Sequence, residues 1–338
     1  MVQPSLNSEI QKPFNRLMTS IATTILLAAT LISVVLTATI PPDPPECVLE
    51  PNQNLQILRR DKLTVLMNGF SESRILLLQS LATSYSLSPI VSSVLVLWGN
   101  PATSPRVLHQ LAHNLTLSSS FAAPILLLPQ PSTSLNNRFL PRPNDISTDV
   151  VLICDDDMEV DPTTLEFAFR VWTHNPHRLV GLFARSHDFD LDRREWAYTV
   201  HPDRFSIVLT KFMLLKTRYL FLYTCRGGPR MARMRGIVDE VQNCEDILMN
   251  FVVAEEAEVG PVLVGAKRVR DYGDARNEEE SEEGVSVVGL SSRKGEHRKR
   301  RGWCIKEFHR VLGRMPLRYS YGKVVDSVGE QGLCYKSG

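Results

Sequence analysis

The sequence predicts an α/β fold, with a mostly parallel sheet covered by helices on both faces. Three observations carry that expectation. Unbroken apolar runs such as Val150-Val151-Leu152-Ile153-Cys154 read as interior strands, because a strand buried on both faces shows no polar alternation. These runs alternate with longer segments whose apolar residues recur at helical spacing, as in successive βαβ units. The run at 150–154 also ends in Asp155-Asp156-Asp157, and ligands of open α/β sheets sit beyond the carboxyl ends of the strands.

Taken in order, Leu63-Thr64-Val65-Leu66-Met67 gives a first strand. Ser73 to Tyr85 follows as a helix with Ile75, Leu76, Leu78 and Ala82 largely on one face. Ser93 to Trp98 is a second strand and Val107 to Leu115 a second helix; Ile125 to Leu128 and Val150 to Cys154 are the third and fourth strands. Pro162 to Asn175 reads as a helix with Asp161 as N-cap and Pro162 as first residue, and Leu179 to Phe183 as a further strand. Beyond Asp188 the alternation weakens. Phe205 to Tyr223 is strongly apolar, but Lys211, Lys216 and Arg218 interrupt it, so buried strand and helix are expected rather than a membrane span. Cys244 to Glu256 reads as a helix burying Ile247, Leu248, Phe251 and Val252. Asn277 to Gly284 reads as an acidic loop, Ser291 to Gly302 as a basic one.

With 338 residues, 43% hydrophobic and 22% charged, the chain is long enough for one large domain plus appendages. A net charge of +1 gives no basis for nucleic-acid binding. Six cysteines are too few for a disulfide scaffold but permit one or two bridges in an oxidising compartment. Leu17 to Ile40 is uncharged, long enough to cross a bilayer and preceded by Lys12 and Arg16, which keeps the amino terminus cytosolic. Residues 1–16 are then a short cytosolic tail and 17–40 a signal anchor. Residues 41–60 form a proline-rich stem, and 61–338 a single lumenal domain. A cleaved signal peptide is the alternative, although its apolar region is usually only about 7–15 residues. Asn114-Leu115-Thr116 is a glycosylation sequon compatible with a lumenal location.

Three adjacent carboxylates repel one another unless a cation neutralises them, and oxygen-only ligands favour Mg²⁺ or Mn²⁺ with a phosphate completing the shell. A solvated acidic turn explains the triplet equally well at this point. Asn100 closes the second strand in Trp98-Gly99-Asn100, near the same sheet edge and placed to read a nucleobase. Asn136-Asn137-Arg138-Phe139 offers amides and a guanidinium to base and phosphates. Arg74 opens the first helix, where amide N–H groups and a cation suit a diphosphate. Singly, each is more often a turn or surface residue; clustering at predicted strand ends favours function. The histidines, among them His174, His177, His187 and His201, show no metal-binding spacing, and only His187-Asp188 stands out as a pair near an acceptor. Cys154 reads as a small buried hydrophobe.

The block Ser134-Leu135-Asn136-Asn137-Arg138-Phe139-Leu140-Pro141, followed by the aspartate triplet, resembles the carboxy-terminal catalytic module of exostosins, which defines glycosyltransferase family 64. Asn243-Cys244-Glu245-Asp246-Ile247-Leu248-Met249-Asn250-Phe251 is similar to a second block, and Arg301-Gly302-Trp303-Cys304 to a third. The short single-module architecture and the ending Tyr319-Ser320-Tyr321-Gly322-Lys323-Val324-Val325 look most like the plant branch, Golgi glycosylinositol phosphorylceramide mannosyltransferases. The resemblance implies a type A glycosyltransferase fold (Rossmann-like, mixed, mostly parallel), Mn²⁺ dependence and retention of anomeric configuration.

Residue by residue, it implies that Asp157 binds the metal and that Asp155 and Asp156 hold metal or donor-sugar hydroxyls. Arg74, Asn100, Asn137 and Arg138 fall at donor-nucleotide positions. Asp246 matches the carboxylate near the anomeric carbon, whether as electrostatic stabiliser, acceptor-orienting group or nucleophile. Arg301 matches the cation beside the leaving diphosphate, and Cys244 and Cys304 match a disulfide pair flanking the two. From the residues alone, Asp246 is an acid favoured in a helix's first turn and Arg301 one charge of a solvated loop.

The partners implied are GDP-mannose and an inositol phosphorylceramide-type lipid, met by a single-pass type II Golgi membrane protein, with a homodimer as one form of assembly. A UDP-N-acetylhexosamine donor used on the same lipids or a glycan is the nearest alternative; a non-catalytic lumenal module and a metal-dependent hydrolase are others. Gly99 stands where exostosin-like sequences often carry a second asparagine, a departure that suits guanine rather than uracil. The acidic stretch around Glu278 to Glu283 and the basic Lys294 to Arg301 look expanded; the basic one suits an anionic headgroup or plain solvent.

Overall fold

The apolar runs become strands at the predicted places. β1 (Leu63–Gly69), β2 (Val91–Trp98), β3 (Ile125–Pro129) and β4 (Val150–Asp155) alternate with α1 (Ile75–Ser86) and α2 (Pro105–Ser118). The short β5 (Met158–Val160), α3 (Pro162–Thr173) and β6 (Val180–Gly181) follow. An excursion comes next, formed by β7 (Ala184–Asp190), β8 (Glu195–Thr199), β9 (Arg204–Phe205) and β10 (Ile207–Val208). The chain returns through β11 (Phe212–Lys216), α4 (Arg218–Cys225), α5 (Gly228–Val241) and α6 (Glu245–Ala257). It ends with β12 (Val262–Leu263), β13 (Val269–Asp271), α7 (Lys294–Leu312) and β14 (Ser320–Tyr321). The computed structural model describes Cys47 and residues 58–266, 268–273 and 294–327. The expected anchor at 17–40, nearly all of the stem and the acidic stretch 277–284 lie outside the described residues. Asp43–Gly338 forms one compact unit.

The central sheet has seven strands in the order β12-β6-β11-β4-β1-β2-β3. Its pairings are parallel except those of β11, which runs antiparallel to both β4 and β6. A uniform alternation therefore fails at one strand. The excursion of β7 to β10 brings the chain back from the opposite edge, so β11 enters reversed. Side chains alternate between faces as the pleat requires. In β4, Val151 and Ile153 join the cluster with Tyr223, Ile247, Leu248 and Phe308, from α4, α6 and α7. Val150, Leu152 and Cys154 join the cluster with Leu78, Leu111 and Phe169, from α1, α2 and α3. Each fully buried valine, leucine or isoleucine contributes about 1.5–3 kcal/mol, which fixes the register of the strand that carries the aspartates.

Asp161 caps α3 as expected, accepting from the Thr164 N–H at 3.0 Å with Pro162 in the first turn. The segment 205–223 resolves into short strands and α4, and among the described residues no helix is long and apolar enough to cross a membrane. Two expectations need correction. Glu72–Arg74 is a 3₁₀ turn, so Arg74 precedes α1 rather than lying in its first turn. The basic segment expected as a loop at 291–302 is helix α7 from Lys294 onward. Its basic first half hides the pattern, while Cys304, Ile305 and Phe308 bury at helical spacing behind it. Two disulfides close the structure, Cys47–Cys225 and the expected Cys244–Cys304.

Candidate active site

The carboxyl ends of β1, β2, β3 and β4 lie along one edge: Asn68 pairs with Asp155, Gly69 with Trp98, and Trp98 with Pro129. Asp155 ends β4, and Asp156 and Asp157 form the turn into β5. The turn is not a solvated one, since Asp156 is 4% and Asp157 8% exposed. One guanidinium answers both: Arg74 Nη1 donates to Asp156 Oδ1 at 3.1 Å and to Asp157 Oδ2 at 2.9 Å. Burial, then the Asp155 and Asp156 charges, push the Asp157 carboxyl up to about 7 despite Arg74. Burial also raises Asp156. Asp157 Oδ1 is buried and has no hydrogen-bond partner among the described residues. Gly273 closes over the same carboxylate, where a Cβ would lie 2.2 Å from Asp157 Oδ2.

Arg138 reaches the edge from a 3₁₀ turn, Leu135–Phe139, capped by Ser134. Its Nη1 donates to Asp155 Oδ1 at 3.2 Å and lies 3.4 Å from Glu245 Oε1, so one guanidinium joins the aspartate strand to α6. Burial opposes its charge, and the carboxylates of Glu245, Asp155 and Asp246 outweigh that and raise its pKa. The neighbouring amides shape the turn. Asn137 Nδ2 donates to the Ser132 carbonyl at 2.8 Å, while Asn136 Nδ2 donates to the Arg235 carbonyl at 3.1 Å and its Oδ1 accepts from Tyr223. Asn100 stands just past β2 at the same edge, its Oδ1 accepting from the Ala102 N–H at 2.9 Å.

The second half of the site is the junction of α6 and α7. Asp246 lies in the first turn of α6, 3% exposed, with Oδ1 accepting from its neighbour Ile247 N–H at 2.8 Å. Its Oδ2 accepts from Arg301 Nη2 at 2.5 Å, and Arg301 Nη1 donates to Asn243 Oδ1 at 3.0 Å. The guanidinium also lies 4.5 Å from the Tyr198 ring centroid, a cation–π contact. Burial works against the Arg301 charge, but Asp246 outweighs it and raises the pKa. The Cys244–Cys304 bridge joins the residue before α6 to the helical turn after Arg301. Cys244 holds φ 78°, which starts α6 abruptly and turns Glu245 and Asp246 inward.

The structure thus unites Arg74, Asp155, Asp156, Asp157, Arg138, Asp246 and Arg301 through a chain of contacts, and places Asn100 and Asn137 in the loops that frame them. Glu245, Asn243 and Tyr198 complete it without having been singled out beforehand. The signal for Glu245 was its place beside Asp246 in a helix's first turn. His187 and Asp188 do not pair with each other. His187 Nδ1 sits 2.8 Å from Ser206 Oγ and burial lowers its pKa to about 4, whereas Asp188 engages His201, Thr199 and Arg204. Cys154 is free and buried, as expected. Asn114 lies within α2, its Oδ1 accepting from Gln110. A cleft of about 410 Å³ lined by His174, His177, Lys216 and Arg218 opens at the opposite edge of the sheet, away from the aspartates.

Among the described residues no three acidic, histidine or cysteine side chains form a metal cage by themselves. A divalent cation held through one or two carboxylates plus diphosphate oxygens needs no such cage. The unpartnered Asp157 Oδ1, beside two further carboxylates, fits that mode of binding.

Residues 63–329 match the family model described as the glycosyl transferase family 64 domain. The chain is 63% identical over 296 residues to the Arabidopsis thaliana protein named Glycosyltransferase family protein 64 C3, covering 88% of this chain and 89% of that one. It is 31% identical over 246 residues to Exostosin-1a of Danio rerio, covering 71% of this chain and 30% of that protein. With Exostosin-1 of Mus musculus the identity is 34% over 205 residues, 59% of this chain and 25% of the relative. The chain spans less than a third of the length of these exostosins.

Proposed function

Given that the chain belongs to glycosyltransferase family 64 and is a glycosyltransferase, we propose that it transfers mannose from GDP-mannose to the headgroup of an inositol phosphorylceramide. In this reading it does so with Mn²⁺, with retention of configuration, as a type II protein of the Golgi membrane with its catalytic domain in the lumen. The observation that carries the catalytic reading is the Arg138 bridge. Through Arg138, the aspartate edge is joined to Glu245, the chain neighbour of Asp246 in the Asp246–Arg301 pair.

Asp157 would hold the cation, with Asp155 and Asp156 beside it. The metal would supply charge neutralisation for the diphosphate leaving group. Arg74 shares one guanidinium between Asp156 and Asp157, and its remaining N–H groups would be available to the donor's phosphates. Arg301 has both terminal nitrogens engaged, while its Nε is buried without a partner among the described residues. That N–H, with the second N–H of each terminal nitrogen, would be available to meet charge developing on the leaving oxygen. Asp246 has both oxygens occupied, by Ile247 N–H and by Arg301. In this reading Asp246 stabilises an oxocarbenium-like centre, its negative charge held in place by those two donors.

Gly99 beside Asn100 supports guanine over uracil, and the anchor-like 17–40 supports a membrane-borne acceptor. A donor panel decides the sugar. Mn²⁺ with GDP should raise the thermal midpoint more than Mn²⁺ with UDP, and GDP should be released on turnover. Release of UDP alone would establish the N-acetylhexosamine reading in its place.

A further inference from the structure

β1 ends at Gly69, and the next residue, Phe70, is 52% exposed, while Trp98 at the end of β2 and Phe139 beside Arg138 are buried. A lone exposed apolar side chain needs no explanation in itself. Its surroundings single this one out. The Phe70 backbone N–H bonds to the Asp156 carboxylate, and the Asp156 N–H in turn donates to the Asn68 carbonyl at 3.1 Å. Four residues on, Arg74 meets both Asp156 and Asp157. Phe70 is therefore fixed to the aspartate turn by its main chain, with its ring left largely in solvent.

That ring borders the second strand end as well. The Gly99 N–H donates to the Gly69 carbonyl at 2.8 Å, and a Cβ at Gly99 would lie 3.6 Å from Phe70 Cδ2. A larger side chain there would crowd that flank of the ring, which glycine leaves open. Gly99 is not in the left-handed region, so its missing side chain answers to space rather than to backbone strain. Asn100 follows directly. Other rings near the aspartates are already engaged. Trp98 Nε1 donates to Thr103 Oγ1 at 3.0 Å inside the core. Tyr272 carries Arg270 at 4.6 Å from its ring centroid and donates its hydroxyl to Glu159 at 2.7 Å. Among the described residues no ring or guanidinium stacks on Phe70.

We propose that Phe70 is the platform on which the donor's nucleobase stacks, with Gly99 leaving the flank of the ring clear for a two-ring purine. The inference rests on the donor reading above. A nucleotide with its diphosphate at Arg74 and Asp156 and its base near Asn100 passes over the residue between them, and that residue is Phe70. An aromatic face holds a base by dispersion and quadrupole contact, with no hydrogen-bond pattern of its own. It therefore strengthens binding of any base, and most of all that of the larger purine face. Asn100 would read the base edge, while Phe70 sets how tightly a base of given size is held.

The test measures binding of GDP, UDP and pyrophosphate, each with Mn²⁺, to the full chain by calorimetry, in the parent, Phe70→Ala and Phe70→Tyr. Pyrophosphate has no base, so it reports the phosphate side alone and shows that each variant is folded. Phe70→Ala should weaken GDP by about tenfold, UDP by less and pyrophosphate not at all, and Phe70→Tyr should keep the parent's affinities. Unchanged GDP binding in Phe70→Ala, or an equal loss for all three ligands, overturns the platform. A parent that binds UDP but not GDP overturns the guanosine donor and the purine clearance at Gly99. The stacking role then stands or falls on whether Phe70→Ala weakens UDP while sparing pyrophosphate.

Discussion

The turn after β4 and the α6–α7 junction each bury carboxylates against arginine, yet they balance charge in different ways. At the turn, three carboxylates share Arg74 and part of Arg138, and the surplus shows as an Asp157 carboxyl raised to about 7 with one oxygen unpartnered. At the junction, Asp246 and Arg301 pair one to one and are sealed by a disulfide. On the proposed reading, the first arrangement would take the cation and diphosphate. The second is charge-paired internally, although the Arg301 Nε is buried without a hydrogen-bond partner among the described residues. Such a division would let the donor enter and leave one half while the other keeps its reacting groups aligned.

The contrast can be broken most directly at Arg301. Arg301→Ala leaves Asp246 buried without its counter-charge and should cost about 3–5 kcal/mol in chemical denaturation, together with transfer activity. Asp157→Ala should abolish metal-dependent transfer while leaving the metal-free midpoint unchanged or higher. Comparable stability losses in the two variants would erase the distinction.

Cys244→Ser comes next. Closing a 60-residue separation contributes about 4 kcal/mol by loop entropy, so the variant should melt earlier and lose kcat. Donor binding at the aspartate turn, followed by calorimetry below the new melting point, should survive.

The pH dependence sharpens the comparison in opposite directions. Asp157 has a folded pKa near 7, above its unfolded value, so its contribution is greatest below about pH 4 and is lost as pH rises through 7. His187 is lowered to about 4, so its contribution is present above about pH 6.5 and is lost as pH falls through 4. Subtracting the stability profile of Asp157→Asn from that of the metal-free parent should give a falling difference across this window. Subtracting His187→Asn should give a rising one. Each spans on the order of 3 kcal/mol at about 1.4 kcal/mol per unit.

The smallest effect is expected at the link between the halves. Glu245→Gln keeps the shape but removes the charge facing Arg138, costing about 1–2 kcal/mol. Donor KM should rise more than kcat falls; an unchanged KM would mean the bridge does not position the donor side.

Much of this architecture was legible because its signals are local. The β1 to β4 runs and the Asp155–Asp157 turn each sit within a few residues, so apolar pattern and strand-end logic placed them. The reversal of β11 was not legible, because direction depends on the long β7 to β10 excursion rather than on Phe212 to Lys216 themselves. The helix at 294–312 was hidden by Arg298, Lys299, Arg300 and Arg301, whose charges read as solvated until Cys304 and Phe308 bury the opposite face. Glu245 was missed as the partner of Arg138 because the two are far apart in sequence and meet only in the fold. Asp246, Arg301 and the Cys244–Cys304 pairing came from family resemblance; composition and spacing alone favoured a surface acid and a surface base.

Cys154 sits in the sheet beside the aspartates, fully buried, with burial and then the neighbouring carboxylates raising its thiol well above the usual range. A thiol held protonated cannot attack a disulfide. The four paired cysteines lie in segments that close around this sheet, Cys47 with Cys225 and Cys244 with Cys304. In the folded protein, burial in the sheet therefore shields Cys154 from thiol–disulfide exchange with either bridge.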